Sequence, residues 1–227
     1  MTTIVTIADE KYFAYLRALV RSANANLSDV QIDCTLVNMD TESKDILERD
    51  HPSISVSFLN YSGRNIESFC TNIRTWLLLK ARKNHAGTIV WLDATTIIRK
   101  PCDLLKIMTD SDVLVYEKLD KPGKHLTGFI GLSEKTNCFL ETWDNAVSKD
   151  IDSWYANQDL FSEILKDFNL KIKDLPPEYL DWKFKDSFMW TGKGRKVRCD
   201  KRWKKEMKKW GIRWEYEGSN PEHKAGR

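Results

Sequence analysis

The chemistry in this chain is most readily read from Asp93. The run Thr88-Ile-Val-Trp-Leu-Asp-Ala-Thr-Thr-Ile-Ile-Arg-Lys-Pro101 is apolar from Ile89 to Leu92, halts at this one acid, and resumes as Ile97-Ile98. Such a run predicts a central strand of a parallel-type sheet, buried on both faces. An ionised carboxylate at its tip is costly to bury unpaired. It is well placed for a ligand, because open α/β sheets bind theirs beyond the carboxyl ends of the strands. A strand-ending Asp that caps the following turn is the plainer use of the same residue.

Other residues extend this pattern. Ala8-Asp9 closes the β-branched run Ile4–Ile7, and Thr127-Gly128 precedes another strand. In a doubly wound topology these ends share an edge with Asp93, giving two carboxylates and a close-approach glycine that suit a nucleotide and its metal. Trp190-Thr-Gly-Lys-Gly-Arg-Lys196 follows a further strand. Its glycines allow backbone N–H groups to converge on an anion, and Lys193, Arg195 and Lys196 supply charge. The same residues also suit a plain basic hairpin turn. Asn157-Gln158-Asp159 falls in the first turn of a helix, where free N–H donors adjoin amide and carboxylate groups, for a ligand or for ordinary capping. The four histidines (51, 85, 125, 223) lack metal-ligand spacing, and no GxSxG or Cys-His arrangement marks a covalent nucleophile.

The elements that must position these groups follow from periodicity. Ile4–Ile7, Ile32–Val37 and Ile54–Leu59 read as strands, separated by helices over Tyr12–Asn26, capped by Asp9, and around Thr41–Asp50. A long helix, capped by Asn65, is expected from Ile66 to Asn84, burying Ile66, Phe69, Ile73, Trp76, Leu77 and the Lys80 stem, with Arg74 at its edge. With Thr88–Leu92 this makes β-α-β-α-β-α-β, a doubly wound sheet with right-handed crossovers. The second part is less regular. It holds a short helix Asp103–Met108, strands Val113–Val115 and Leu126–Leu132, a helix capped by Ser133 that carries Phe139, Leu140, Trp143, Ala146 and Val147, and a helix Trp154–Phe168. A rigid extended loop from Leu175 to Tyr179 and a last strand Phe188–Trp190 complete it, and the tail Gly218–Arg227 is expected to fray.

At 227 residues, with 41% hydrophobic and 30% charged residues, the composition is that of a globular chain able to bury a full core. The five cysteines (34, 70, 102, 138, 199) are dispersed and form no CxxC pair, which argues for reduced thiols. No basic region followed by an apolar one marks a signal peptide and no stretch is long and apolar enough to span a membrane, so a cytoplasmic location is expected. Between Lys183 and Lys209 twelve Lys/Arg face three acids, a local net charge of +9 in a chain whose total is +3, leaving −6 elsewhere. Such a field attracts phosphate, nucleotide or nucleic acid, although a solvated basic helix over Asp200–Trp210 explains part of it.

Taken in succession, the strand ending Ala8-Asp9, the helix with Asn72-Ile-Arg74, VWLDATTIIRKP, TGFIGL with a Trp-bearing helix after it, Asn157-Gln158-Asp159 and WTGKGRK resemble the GT-A glycosyltransferases. The layout is similar to that of the small nucleotide-diphospho-sugar transferases related to glycogenin, over about residues 3–200. The resemblance implies a GT-A domain over 1–217, a mixed, mostly parallel Rossmann-like α/β sheet flanked by helices, with a nucleotide-binding half (1–100) and an acceptor and diphosphate half (101–217). It assigns Thr6, Ala8, Asp9, Tyr12, Arg74, Leu92, Asp93, Ala94, Thr95 and Gln158 to the nucleotide donor, and Thr191, Gly192, Lys193, Gly194 and Lys196 to the diphosphate. Thr127, Gly128, Asn157 and Asp159 fall to the sugar or acceptor, with Asp159 and Asp93 as the catalytic candidates. The family's Asp-x-Asp, which holds a divalent cation, reads Asp93-Ala94-Thr95 here, so Mn²⁺ or Mg²⁺ would rest on Asp93 with Thr95 as a neutral ligand. Thr191 stands where the family often has a metal-binding His.

The implied activity is transfer of a sugar from a UDP- or GDP-linked donor to a saccharide or protein acceptor. Two alternatives remain open at this level. The stripe Lys193–Lys209, interleaved with Trp190, Trp203 and Trp210, also suits a nucleic-acid acceptor, and the missing second acid suits a non-catalytic nucleotide-sugar binder.

Overall fold

In the computed structural model of the protein, the described residues are 1–118, 120–151, 156–192, 194 and 198–212, with Asp150 and Ala156 described by backbone alone. The expected tail 218–227 lies outside them.

The first half alternates strand and helix: β1 (Thr2–Asp9), α1 (Glu10–Asn26), β2 (Val30–Val37), α2 (Thr41–Asp50), β3 (Ile54–Leu59), α3 (Ile66–Asn72), α4 (Arg74–Asn84) and β4 (Thr88–Leu92). Side chains start the helices, Asp9 and Asn65 as the sequence predicts and Asp40 as a further cap. Asp9 accepts from the Tyr12 amide at 3.1 Å, Asp40 from Ser43 at 3.0 Å and Asn65 from Ser68 at 3.0 Å. The second half runs β5 (Thr96–Ile98), α5 (Leu104–Met108), β6 (Val113–Glu117), β7 (His125–Leu132), α6 (Asn137–Val147), α7 (Ala156–Ile164), β8 (Ile172–Asp174), β9 (Met189–Thr191) and α8 (Lys201–Lys209).

Seven strands form one mixed, mostly parallel sheet in the order β3-β2-β1-β4-β7-β6-β8, while β5 and β9 pair separately. The strands β3, β2, β1 and β4 are mutually parallel, and β7 runs antiparallel to both β4 and β6. Helices cover both faces over two apolar clusters. One is centred on Leu16, Leu19, Leu36 and Leu92, the other on Trp91, Phe139, Trp143 and Phe161, all buried. A third cluster, with Trp203 and Met207 of α8 against Tyr15, Phe184 and Trp190, fixes α8 to α1 and β9. This is a Rossmann-like α/β domain. Among the described residues no helix is long and apolar enough to cross a membrane.

The structure corrects several expectations. β4 is central, but parallel to a neighbour on one side only. The helix expected over 66–84 is interrupted at Ile73, where the Thr75 hydroxyl donates to the Asn72 carbonyl at 3.2 Å. The inward stripe beyond it is Arg74, Thr75, Leu77, Leu78 and Ala81, so Arg74 is interior rather than at the edge. Trp76 faces out at 40% exposure, beneath the Lys80 ammonium. Ser133 caps a 3₁₀ turn (Glu134–Thr136) ahead of α6. Helix α7 is described from Ala156, and its last turn, Leu165–Asp167, tightens to 3₁₀; Trp154 and Tyr155 lie outside the described residues. The loop expected to be extended at Leu175–Tyr179 closes a turn, with the Tyr179 amide donating to the Pro176 carbonyl at 2.9 Å. Thr127-Gly128 lies within β7 rather than before it.

Candidate functional site

The topology turns the separate strand ends into one place. Parallel β1 and β4 finish on the same edge, and antiparallel β7 begins there. The backbone amide of Asp93 donates to the Gly128 carbonyl at 3.0 Å, and the Gly192 amide reaches the Thr95 carbonyl at 2.8 Å, bringing in the chain after β9. The result is a cleft of about 260 Å³. Ala8, Asp9, Tyr12, Arg74, Asp93, Ala94, Thr95, Thr127, Gly128, Gln158, Thr191, Gly192 and Gly194 all line it.

At its floor, Asp93 is held by two donors on one oxygen. Oδ1 accepts from the Trp91 indole at 2.9 Å and from the Arg74 guanidinium at 3.3 Å. Arg74 is 5% exposed, lies over the Trp91 ring at 4.7 Å, and also donates to the Thr127 carbonyl. Burial pushes its pKa down and Asp93 opposes that shift. A guanidinium starts so far above neutrality that it stays charged. Asp93 Oδ2 accepts no hydrogen bond among the described residues and faces Gly128, where a Cβ would stand 2.9 Å from it. Gly128 is therefore required for the close approach that leaves this oxygen open.

The wall formed by β1, α1 and α3 is acidic and partly apolar. Asp9 is 6% exposed, and burial raises its carboxyl above the ordinary range against the pull of the Tyr12 amide and Lys11. Burial also raises the Tyr12 phenol, opposed by Arg198, and pushes the Cys70 thiol up to about 12, so that thiol is protonated at neutral pH. Glu67 on the same wall is paired with Lys11. Leu126, Leu180, Trp182 and Arg198 also line the cleft. The Arg198 guanidinium lies 5.5 Å from the rings of both Tyr12 and Tyr15 and donates to the Gly192 carbonyl at 3.2 Å. Gly192 has no room for a side chain, since a Cβ would meet the buried Trp203 ring at 2.8 Å.

Four expected residues stand elsewhere. Thr6 and Leu92 are fully buried within their strands, one residue or more behind the edge. Asn157 is also buried; its carbonyl accepts from the Trp143 indole at 3.1 Å, and its side-chain amide has no partner among the described residues. Asp159, expected to contact the sugar or act as base, points out of the first turn of α7. It pairs with Lys124 at 3.5 Å and is 60% exposed, outside the cleft that Gln158 lines. On a helix, neighbouring positions face different sides, and here Gln158 is the one turned to the cleft. Lys193, Arg195 and Lys196 lie outside the described residues.

The sequence reading missed Glu67, Cys70, Thr71, Trp91, Leu126, Leu180, Trp182 and Arg198. Trp91 had a signal, being two residues before Asp93 on a strand and hence on the same face. Trp182 and Arg198 had none beyond residue type.

A divalent cation can be tested against these side chains. Among the described residues no three His, Cys, Asp or Glu converge. One carboxylate with an open oxygen, Asp93, and one hydroxyl, Thr95, fit Mg²⁺ or Mn²⁺ in the form in which most ligands are phosphate oxygens and water. They do not make a protein cage, and Arg74 already sets positive charge against Asp93.

No family model and no curated protein matches this chain.

Proposed function

We propose that the cleft binds a nucleotide-diphosphate sugar, UDP- or GDP-linked, and that the protein is a glycosyltransferase delivering the sugar to an acceptor hydroxyl of a saccharide or protein. The observation that carries this reading is the convergence of Asp9, Arg74 and Asp93 at one strand-end cleft, where α/β sheets hold nucleotides. The ordered resemblance to GT-A enzymes supports it.

In this reading Asp9 and Tyr12 hold the base and ribose. Asp9 is a buried acceptor, and a nucleobase or sugar donor group would stabilise its ionised form. In the transfer, the acceptor oxygen bonds to the anomeric carbon as the bond to the diphosphate breaks. The acceptor's proton is lost, and the nucleoside diphosphate leaves with the electron pair. Charge therefore builds on the diphosphate, and fixed cations aimed at it lower the barrier. Arg74 and Arg198 are the cleft's described cations for that task. Mn²⁺ or Mg²⁺, where bound, would rest on Asp93 and Thr95 and add positive charge to the same leaving group. Asp159 is left out of the catalytic role because it faces away.

A calorimetric screen of nucleotide sugars, with and without Mn²⁺, tests the reading, and silence in both arms rejects it. Asp93→Ala should reduce transfer to background while circular dichroism stays unchanged; full activity in that variant removes Asp93 from the site. The second reading, a nucleotide-sugar binder without activity, is favoured by Thr95 where a second acid would strengthen a metal site. Clear donor binding with neither transfer nor hydrolysis would select it.

A further inference from the structure

A strongly basic surface adjoins the cleft without belonging to it. On α8, Trp203 and Met207 are buried, and Lys201, Arg202, Lys205, Lys208 and Lys209 are exposed. Arg202 is tied to Asp200 at 2.9 Å and Lys209 to Glu206 at 3.4 Å. Lys201, Lys205 and Lys208, spaced i, i+4, i+7 along one face, have no carboxylate partner among the described residues.

Packing fixes where this face sits. Trp203 lies against Gly192, which lines the cleft, and the Arg202 guanidinium is 5.5 Å from the Phe184 ring. Phe184 itself packs on Trp203 at 5.6 Å. Two residues earlier, Trp182 lines the cleft, half-buried, its ring 5.2 Å from Tyr116. Lys183 and Lys185 on this loop are exposed. The loop that carries Trp182 to the cleft thus bears two exposed lysines and packs, through Phe184, against the basic helix.

We propose that the exposed face of α8, with Lys183 and Lys185, docks a nucleic-acid strand and presents one of its nucleotides at Trp182 as the acceptor. The acceptor role rests on the glycosyl-transfer reading; the docking does not. Cations spaced along a face track phosphates, and an aromatic at the end of the track stacks a base. An anionic membrane surface would draw on the same lysines, but a membrane-surface helix turns its aromatic and aliphatic residues outward. Here Trp203 and Met207 face the core, so nucleic acid is favoured.

The test uses the full chain and a short labelled single-stranded DNA oligonucleotide, with fluorescence anisotropy read across salt. Wild type should bind at low salt and weaken about twentyfold or more between roughly 50 and 200 mM salt, as a few phosphate contacts require. The triple variant Lys201→Gln/Lys205→Gln/Lys208→Gln should lower the log–log salt slope by about 2. It should keep calorimetric affinity for a nucleotide sugar within about twofold. Trp182→Ala should weaken DNA binding about tenfold with the slope unchanged, and Trp182→Phe should restore most of that loss, as stacking on any aromatic would. Absence of DNA binding at low salt, an unchanged slope in the triple variant, or equal binding to vesicles of anionic phospholipid overturns the proposal. Donor binding without DNA binding sinks the docking surface alone. Lysine-dependent DNA binding without any nucleotide-sugar binding sinks the transferase reading and leaves the surface standing.

Discussion

Arg74 and Lys205 carry the same charge into opposite surroundings. Arg74 is 5% exposed, sits over an indole and donates to a carboxylate and a carbonyl. Lys205 stands in solvent on α8 with no carboxylate partner among the described residues. A desolvated cation has lost its water, so its worth depends on the geometry of a few fixed partners, and removing one of them leaves the others unsatisfied. A solvated cation depends on no single partner. It acts through the field it shares with its neighbours, which salt screens. The cleft is therefore specific and brittle, and the helix face is tolerant and additive.

The comparison can be broken most directly at the buried end. Arg74→Ala should cost about 3 kcal/mol, because Asp93 and the Thr127 carbonyl lose their donor and the core gains a void. Denaturant midpoints would report it, and a loss no greater than for an exposed lysine would erase the distinction. Gly192→Ala forces a methyl against the Trp203 ring and Arg198, with an expected loss of about 2 kcal/mol. Because the same glycine joins the cleft to α8, donor and DNA affinity should fall together; an effect on one alone would show that the two regions are not mechanically joined there.

A smaller effect is visible only as a slope. Burial raises the Asp9 carboxyl above its ordinary value, so the folded state holds that proton more tightly than the unfolded chain. Its contribution to stability is then greatest below the unfolded pKa and declines as pH rises through the folded one. Asp9→Asn keeps a capping oxygen and removes the titration, so the stability of the variant relative to wild type should grow as pH rises from about 3 to about 7. Urea midpoints over that range would check the sign, and a difference shrinking with pH would contradict it. Smallest of all, Lys205→Gln should change stability by less than about 0.5 kcal/mol while measurably lowering the salt slope of DNA binding. A larger loss of stability would mean that α8 is held by its charges rather than by Trp203 and Met207.

The sequence was most informative where a local rule decides the structure. Asp9 and Asn65 cap their helices because a short polar side chain before an amphipathic run has one favourable use there. The alternation of apolar strands and amphipathic helices led to a doubly wound, mostly parallel sheet, while the order β3-β2-β1-β4 comes from the structure. The placing of Asp93 at a strand end needed no tertiary information either, because an apolar run stopped by one acid marks that end.

Long-range pairing decided the rest. Asp93 shares an oxygen between Trp91 and Arg74 because α4 packs with Arg74 on its buried face. Arg198 enters the cleft only because α8 packs on α1 through Trp203. Asp159 leaves it because α7 docks by Phe161 and presents Gln158 instead. Periodicity states that a helix has an inward face, but not which neighbour covers it or how far the helix is rotated. Those depend on side chains distant in sequence filling one volume. From residues alone, then, come the strand ends, the caps and the excess of positive charge near the C-terminus. Only the packed structure decides that an arginine lies against Asp93, that one acid of two neighbours faces solvent, and that the basic helix borders the cleft.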